Sequence, residues 1–221
     1  MLLEPITAEA SPSAPAEGAH PEQRRRHTHA ARLFVYPPGE PRREMVEGFI
    51  RDVYARRYDA CVTSFATVLV ALMSEGRILA AAGYRPALQP LFLERYLDAP
   101  VEARLRALTP EAPARARIVE VGHLAATRPG AGRMLMPLLG VHLAGRGFEW
   151  VVSTATTELR TLFGRMGLEP LVLGTADPRV LGADAAQWGT YYDHHPQVVA
   201  GSIMVGMSRI APGLLAPKGQ P

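Results

Sequence analysis

The spacing of apolar residues changes period partway along the chain. Ile118, Val119, Val121 and Leu124 form a short run rich in β-branched residues, with Glu120 and His123 set among them. A run of this kind, bounded by Pro and Gly, predicts a strand buried on at least one face. It leads into Thr127-Arg128-Pro129-Gly130-Ala131-Gly132, and from Arg133 to about Gly145 the apolar positions recur with helical spacing. Upstream, Ala31–Tyr36 reads as a strand. Arg42–Tyr58 reads as a helix with Met45, Phe49, Val53 and Tyr54 on one face. Val62–Met73 and Arg77–Tyr84 read as two strands joined by a hairpin at Ser74-Glu75-Gly76-Arg77. Pro90–Leu97 and Val101–Leu108 read as a short helical excursion, and Pro110–Arg117 as a loop. Downstream, Gly145-Arg146-Gly147 stops the helix and Phe148–Ala155 returns as a strand. Thr157–Met166 is a helix capped by Thr156 or Thr157 and ended by Gly167. Leu168–Leu173 and Val198–Met207 supply further strands. This order predicts a mixed α/β sheet with helices on both faces.

Residues 1–29, rich in Ala, Pro, Ser and Glu and then basic, are expected to form a disordered leader. Residues 30–210 are expected to form one domain, and 211–221 a flexible tail. The chain of 221 residues is 48% hydrophobic and 20% charged, ordinary values for a soluble globular protein. Its formal charge of +3 comes from arginine, since Lys218 is the sole lysine. That modest balance suits an anionic small ligand and gives no argument for nucleic acid, for which the 7% aromatic content is also poor. Cys61 is the only cysteine, which excludes an intrachain disulfide and a cysteine metal cage, and it reads as a buried small hydrophobe. No signal peptide and no transmembrane segment are read, so the expected compartment is cytoplasmic and no metal is expected.

The chemistry concentrates around the central strand. A carboxylate such as Glu120 costs several kcal/mol to bury unless it is paired or protonated. It is either a structural group paired with Arg51 or Arg85, or a general base poised by partial burial. His123 either shares that role or is a hydrogen-bonded core residue. The glycine-rich turn opening a helix exposes free N–H groups at the positive end of the helix dipole, a ready anion site. Gly130 and Gly132 would let the backbone approach a pyrophosphate, with the N–H groups from Ala131 and Gly132 through Arg133 to Met134 as donors. Arg51 and Arg85 are candidate anchors for a carboxylate or phosphate on a substrate. Trp188, Tyr191 and Tyr192, in a stretch that ends in His194-His195-Pro196, are read as a loop closing over the site; adjacent histidines on a strand would face opposite sides and not share a metal.

The element order, with Thr127-Arg128-Pro129-Gly130-Ala131-Gly132 opening the helix after the central strand, resembles the GNAT acyltransferase superfamily. Within it, Glu120-Val121-Gly122-His123-Leu124, Gly83-Tyr84-Arg85-Pro86 and Ile50-Arg51 resemble motifs of the acyl-homoserine-lactone (autoinducer) synthases. From about Leu33 to Ile210 the chain is most similar to the bacterial thermostable hemolysin family, on LFLERYLDAP, IVEVGHLAATRPGAG, GFEWVVSTATTELRTLF and WGTYYDHHPQVVAG.

The resemblance implies a GNAT-like fold, mostly antiparallel and splayed at its centre. It implies an acyltransferase with an acyl thioester donor, coenzyme A or acyl-CoA or the phosphopantetheine of acyl carrier protein, and a small amine or hydroxyl acceptor; a membrane-active lytic protein, as the family name suggests, and a catalytically inactive fold used for binding are the alternatives. Thr127, Arg128, Gly130, Ala131, Gly132, Arg133 and Thr154 would then hold the donor. It further implies an acyl tunnel beside the central strand, with Phe65, Leu69, Leu91, Phe92, Leu138, Leu139, Phe148, Trp150 and Phe163 as its expected lining and Pro137 distorting the helix to open space.

Overall fold

The structure is a computed structural model that describes residues 31–128 and 130–210; the expected leader and tail lie outside them. Seven strands form one sheet: β1 (Arg32–Tyr36), β2 (Val68–Ser74), β3 (Arg77–Pro86), β4 (Ile118–Ala126), β5 (Trp150–Ala155), β6 (Leu171–Thr175) and β7 (Gln197–Ser202). Their order across the sheet is β1-β2-β3-β4-β5-β7-β6. Every neighbouring pair is antiparallel except β4 and β5. Among the described residues five α-helices accompany them: α1 (Arg43–Tyr58), α2 (Val101–Leu108), α3 (Ala131–Gly145), α4 (Thr157–Arg165) and α5 (Ile203–Ile210).

The strand β2 shows why the sheet is covered twice. Its Leu69 and Ala71 pack with α1, while Val70 and Leu72, pointing the other way, pack with α3 and α5. All four are fully buried. The β2–β3 hairpin turns on Glu75 and Gly76, both with positive φ, as a two-residue hairpin requires.

Several boundaries differ from the sequence reading. The buried stripe of α1 is Val46, Ile50, Val53, Tyr54 and Tyr58, so Met45 faces outward at 43% exposed. The run from Val62 does not pair until Val68. The carbonyls of Ala66 and Thr67 are instead taken by the Arg43 guanidinium at 2.9 Å each. β6 lies three residues later than its apolar pattern began. The last apolar stretch is divided, with Gln197–Ser202 as strand and Ile203–Ile210 as helix. Pro90–Leu97 yields only a 3-10 turn at Leu93–Tyr96. Cys61 is exposed rather than buried: it alternates with buried Ala60 and Val62, and its N–H donates to the Gln187 carbonyl at 2.7 Å.

The feature that creates the site is the junction of β4 and β5. They pair over only three positions, Ile118 with Trp150, Val119 with Val151 and Glu120 with Val152. Beyond that, β4 continues to Ala126 along β3 and β5 continues to Ala155 along β7. The strands splay, and the gap between them is the splayed centre that the resemblance implied.

Candidate functional site

A cavity of about 690 Å³ passes through the splay and reaches both faces of the sheet. On the α1 face its wall includes Tyr54, Phe92, Tyr96, Trp188, Tyr191 and Tyr192. On the other face it runs between α3, α4 and α5 past Leu139, Phe163, Ile203 and Met207. Of the expected site residues, Glu120, His123 and Arg85 line it near the splay. Thr127, Arg128, Gly130, Gly132, Arg133 and Thr154 also line it.

Glu120 stands where β4 and β5 part, and it is only 9% exposed. One carboxylate oxygen accepts the N–H of Phe92 and the other that of Leu93, each at 2.9 Å. The Arg85 guanidinium lies 3.8 Å away and also donates to the Pro90 carbonyl at 3.2 Å. Burial pushes the Glu120 carboxyl above its usual range, against the pull of the two N–H groups and Arg85. Glu120 therefore has the ties of a structural carboxylate together with a raised pKa. It is tied to its surroundings, yet ready to take a proton nearer neutral pH than an ordinary glutamate.

His123 sits three residues on, where β4 is irregular: Ala81 faces Ala125 but Gly83 faces Gly122, leaving one extra residue on β4. The bulge puts His123 at φ 53, left-handed backbone that side chains other than glycine, Asn and Asp seldom adopt. Its Nε2 pairs with the Ser64 carbonyl at 3.1 Å, so Nε2 carries the proton. Its Nδ1 is buried without a partner. Nδ1 rests over Gly83, where a Cβ would come within 3.3 Å of it and within 2.8 Å of the Ala66 Cβ. Burial lowers the His123 pKa to about 4, which keeps the ring neutral.

At the head of α3, Gly130 takes the left-handed conformation, with φ 90. Of the four expected N–H donors, Met134 is committed to the Gly130 carbonyl at 3.1 Å and Ala131 to the Arg128 carbonyl at 3.3 Å. The helix geometry leaves Gly132 and Arg133 as the N–H groups that α3 itself does not use. Ala131 is buried and its side chain does not reach the cavity wall. Thr154 is an interior position of β5, paired with Val198, and its carbonyl accepts the Tyr191 hydroxyl at 3.2 Å. The cap of α4 is Thr156, whose hydroxyl accepts the Leu159 N–H.

The Trp188–His195 stretch contributes Trp188, Tyr191 and Tyr192 to the cavity wall, and it is fastened from several sides. The Tyr192 and Tyr96 hydroxyls pair at 2.6 Å, and the Thr190 N–H donates to the Tyr58 carbonyl at 2.7 Å. The two histidines lie on no strand. His194 ends a 3-10 turn and its Nδ1 pairs with Glu158 at 2.5 Å, while His195 has φ 48. Among the described residues no group of three His, Cys, Asp or Glu is placed to hold a metal ion.

Arg51 is not brought to this site. It is on the outer side of α1, 3.4 Å from Glu47 and over the Phe65 ring. The expected tunnel lining is also largely displaced. Phe92, Leu139 and Phe163 reach the cavity, whereas Phe65 and Leu69 pack with α1. Leu138 and Phe148 pack in the α3 core, and Leu91 and Trp150 in the α2 core. Pro137 sits inside a continuous α3 and is absent from the wall. Tyr54, Tyr58 and Tyr96 were missed by the sequence reading. Their apolar bodies mark them as core, and only the splay shows that this core faces a cavity.

No curated protein matches the chain in sequence. Several solved structures match its fold. The AHL synthase LasI superposes with a TM-score of 0.57 at 12% identity, covering 86% of this chain and all of LasI. FeeM, an N-acyl amino acid synthase from uncultured soil microbes, gives 0.55 at 13% identity over 83% of this chain and 97% of its own. The CoA-dependent acyl-homoserine lactone synthase BjaI, solved with SAM and isopentyl-CoA, gives 0.54 at 16% identity over 82% and 90%. These likenesses establish a GNAT-like fold, with its mostly antiparallel open sheet and central splay. One family profile matches residues 36–207, most of the chain, and by it this protein belongs to the thermostable hemolysin family.

Proposed function

We propose that this protein is an acyltransferase, moving an acyl group from a coenzyme A or acyl-carrier-protein thioester to a small amine or hydroxyl acceptor. The observation that carries the reading is the cavity through the β4–β5 splay. It joins a glycine-opened helix start, suited to a pyrophosphate, to a buried carboxylate with a raised pKa. The structural relatives, acyl-homoserine lactone synthases and an N-acyl amino acid synthase, are of the same class, which supports it.

On this reading Gly132 and Arg133 present N–H groups to the donor phosphates, with the Arg128 and Arg133 side chains beside them. The acceptor enters against the aromatic wall of the α1 face. Its nitrogen or oxygen attacks the thioester carbonyl and a C–N or C–O bond forms. Glu120 takes the proton released from the acceptor. The C–S bond then breaks, and the departing sulfur leaves as a thiolate or receives that proton as a thiol. Neutral His123 fixes the Ser64 segment beside Glu120 rather than acting as the base, since its pKa of about 4 leaves it too weak. Such donors place the reaction in the cytoplasm.

Calorimetry with coenzyme A, palmitoyl-CoA and acyl carrier protein tests the donor site, and thiol release from acyl-CoA in the presence of amines tests turnover. Binding to none of the three donors would sink the proposal. Binding without thiol release across a broad amine and alcohol set would reduce the protein to a binding module on the same scaffold.

A further inference from the structure

Two tyrosine hydroxyls meet at the wall of the cavity, and the transfer steps leave them idle. Tyr96 ends the 3-10 turn Leu93–Tyr96. The N–H groups at the head of that turn, from Phe92 and Leu93, are the ones that hold the Glu120 carboxylate. Tyr192 comes from the Trp188–His195 stretch. The two hydroxyls pair at 2.6 Å, and both residues line the cavity with Glu120. Each ring is held by another. Tyr96 packs edge-on against Phe92 at 6.0 Å, and Tyr192 edge-on against Tyr191 at 5.3 Å.

Holding the stretch in place does not account for the pair. The Thr190 N–H on the Tyr58 carbonyl and the Arg160 guanidinium on the His195 carbonyl already fasten it. Nor does the pairing satisfy both groups. Two hydroxyls carry two hydrogens, and their mutual bond uses one. Among the described residues neither hydroxyl has another partner, so one O–H is left over at the cavity wall. It belongs to the oxygen that accepts the mutual bond, and accepting that bond strengthens it as a donor.

The pair is suited to donating a hydrogen bond and not to giving up a proton. Burial above all, then Tyr192 and, less strongly, the Glu120 carboxylate raise the Tyr96 pKa above the ordinary 10, against the pull of Arg95. Burial raises that of Tyr192 as well, against the bond from Tyr96 and the charge of Arg95. A thiol, at about 8.5, is the stronger acid, so the departing sulfur draws no proton from the pair. What the reaction leaves without a partner is the carbonyl oxygen of the donor. The nucleophile must lie against Glu120 to lose its proton there, and the carbon it attacks carries that oxygen. The oxygen is thereby kept in the same corner of the cavity as the tyrosines.

We propose that the Tyr96–Tyr192 hydroxyl pair donates a hydrogen bond to the thioester carbonyl oxygen as it becomes an oxyanion. The inference rests on the acyl-transfer reading. As the acceptor attacks, the π pair of the C=O bond moves onto oxygen and meets the left-over O–H. When the C–S bond breaks, the C=O bond re-forms and the tyrosines keep both hydrogens. The hydroxyl that touches the oxygen is catalytic, and the other is a positioning residue that orients and polarises it.

Infrared spectra of octanoyl-CoA, isotope-labelled at the carbonyl carbon and bound without acceptor, test the contact. The C=O band should move to lower wavenumber on the wild type and move back in Tyr96→Phe or Tyr192→Phe. Thiol release with an amine acceptor tests its use. The more damaging variant should lose about 10²-fold in kcat, with the acceptor KM within about twofold of wild type. The double variant should be little worse than that single one, since the hydroxyls act as a unit. Unchanged thermal unfolding marks a variant as usable, and Tyr96→Phe carries the test should Tyr192→Phe melt early. Three results would overturn the proposal: no band shift in the wild type with the donor bound, an unchanged kcat in both variants, or a loss confined to the acceptor KM. A wild type that binds no acyl-CoA would instead sink the transfer reading, and this inference with it.

Discussion

His123 should make the fold sensitive to acid in a way that can be isolated. Its ring donates from Nε2 to the Ser64 carbonyl, and its Nδ1 is buried over Gly83 with no acceptor in reach. Protonation would add a second N–H where nothing can receive it, which is why burial holds the pKa at about 4 against the ordinary 6.5. The sign follows from linkage. As pH falls below 6.5 the unfolded chain takes up a proton that the folded ring refuses until about 4, so stability is lost across that window. Each unit of difference is worth about 1.4 kcal/mol, so a fall from about pH 7.5 to about pH 4.5 should cost at most about 2.5 kcal/mol through this residue. His123→Asn removes the titration while tolerating the left-handed backbone. Urea unfolding of both proteins at the two pH values gives a double difference in which the carboxylates common to both cancel. The wild type should lose about 2 kcal/mol more than the variant. Equal losses would show that the ring is solvated or rearranged in solution, and the neutral, positioning role assigned to it would fall with them.

Three other outcomes are expected. Glu120→Gln should lower turnover about 10²-fold or more while the protein stays folded, as measured by thiol release beside a melting curve; unchanged turnover would leave the carboxylate a purely structural tie. Medium or long acyl donors should exceed acetyl in kcat/KM, because six further methylenes in a dry cavity are worth about 5 kcal/mol at most; a clear preference for acetyl would refute an apolar donor channel. Gly189→Ala should lower Tm sharply, by about 3 kcal/mol or more in stability, because its Cβ would fall 2.0 Å from the Tyr58 carbonyl at a backbone φ of 51; a Tm within a degree or so of wild type would mean that the closing segment is not held as described.

How far the sequence could be read depended on whether local pattern or tertiary contact decided each position. The β2–β3 hairpin, α3 with its glycine start, and buried Glu120 were legible because turn chemistry and alternation specify them locally. The late start of β2 was not, because Arg43, more than twenty residues away, claims the Ala66 and Thr67 carbonyls just ahead of the strand. The change from strand to helix at Ile203 hides in a continuous apolar run, in which periodicity cannot separate the two. Arg51 and Arg85 are alike as residues in a list. Only the register of β3 against β4, with Arg85 opposite Glu120, selects the second. The tunnel lining was the poorest reading, since any core offers leucines and phenylalanines and the splay alone decides which of them face empty space.

The three-position junction of β4 with β5 has a mechanical meaning. Four strands lie on one side of it and three on the other, so the sheet is close to two plates joined by a short seam. Across the rest of their length the plates are linked by the covering segments, through the Tyr192 hydroxyl on that of Tyr96 and the Thr190 N–H on the Tyr58 carbonyl. A molecule lying in the gap would act as a strut, resisting the parting of the two plates as well as occupying a site. Amides along the unpaired lengths of β4 and β5 would then be the first to exchange hydrogen in the empty protein and the ones most slowed when the gap is filled.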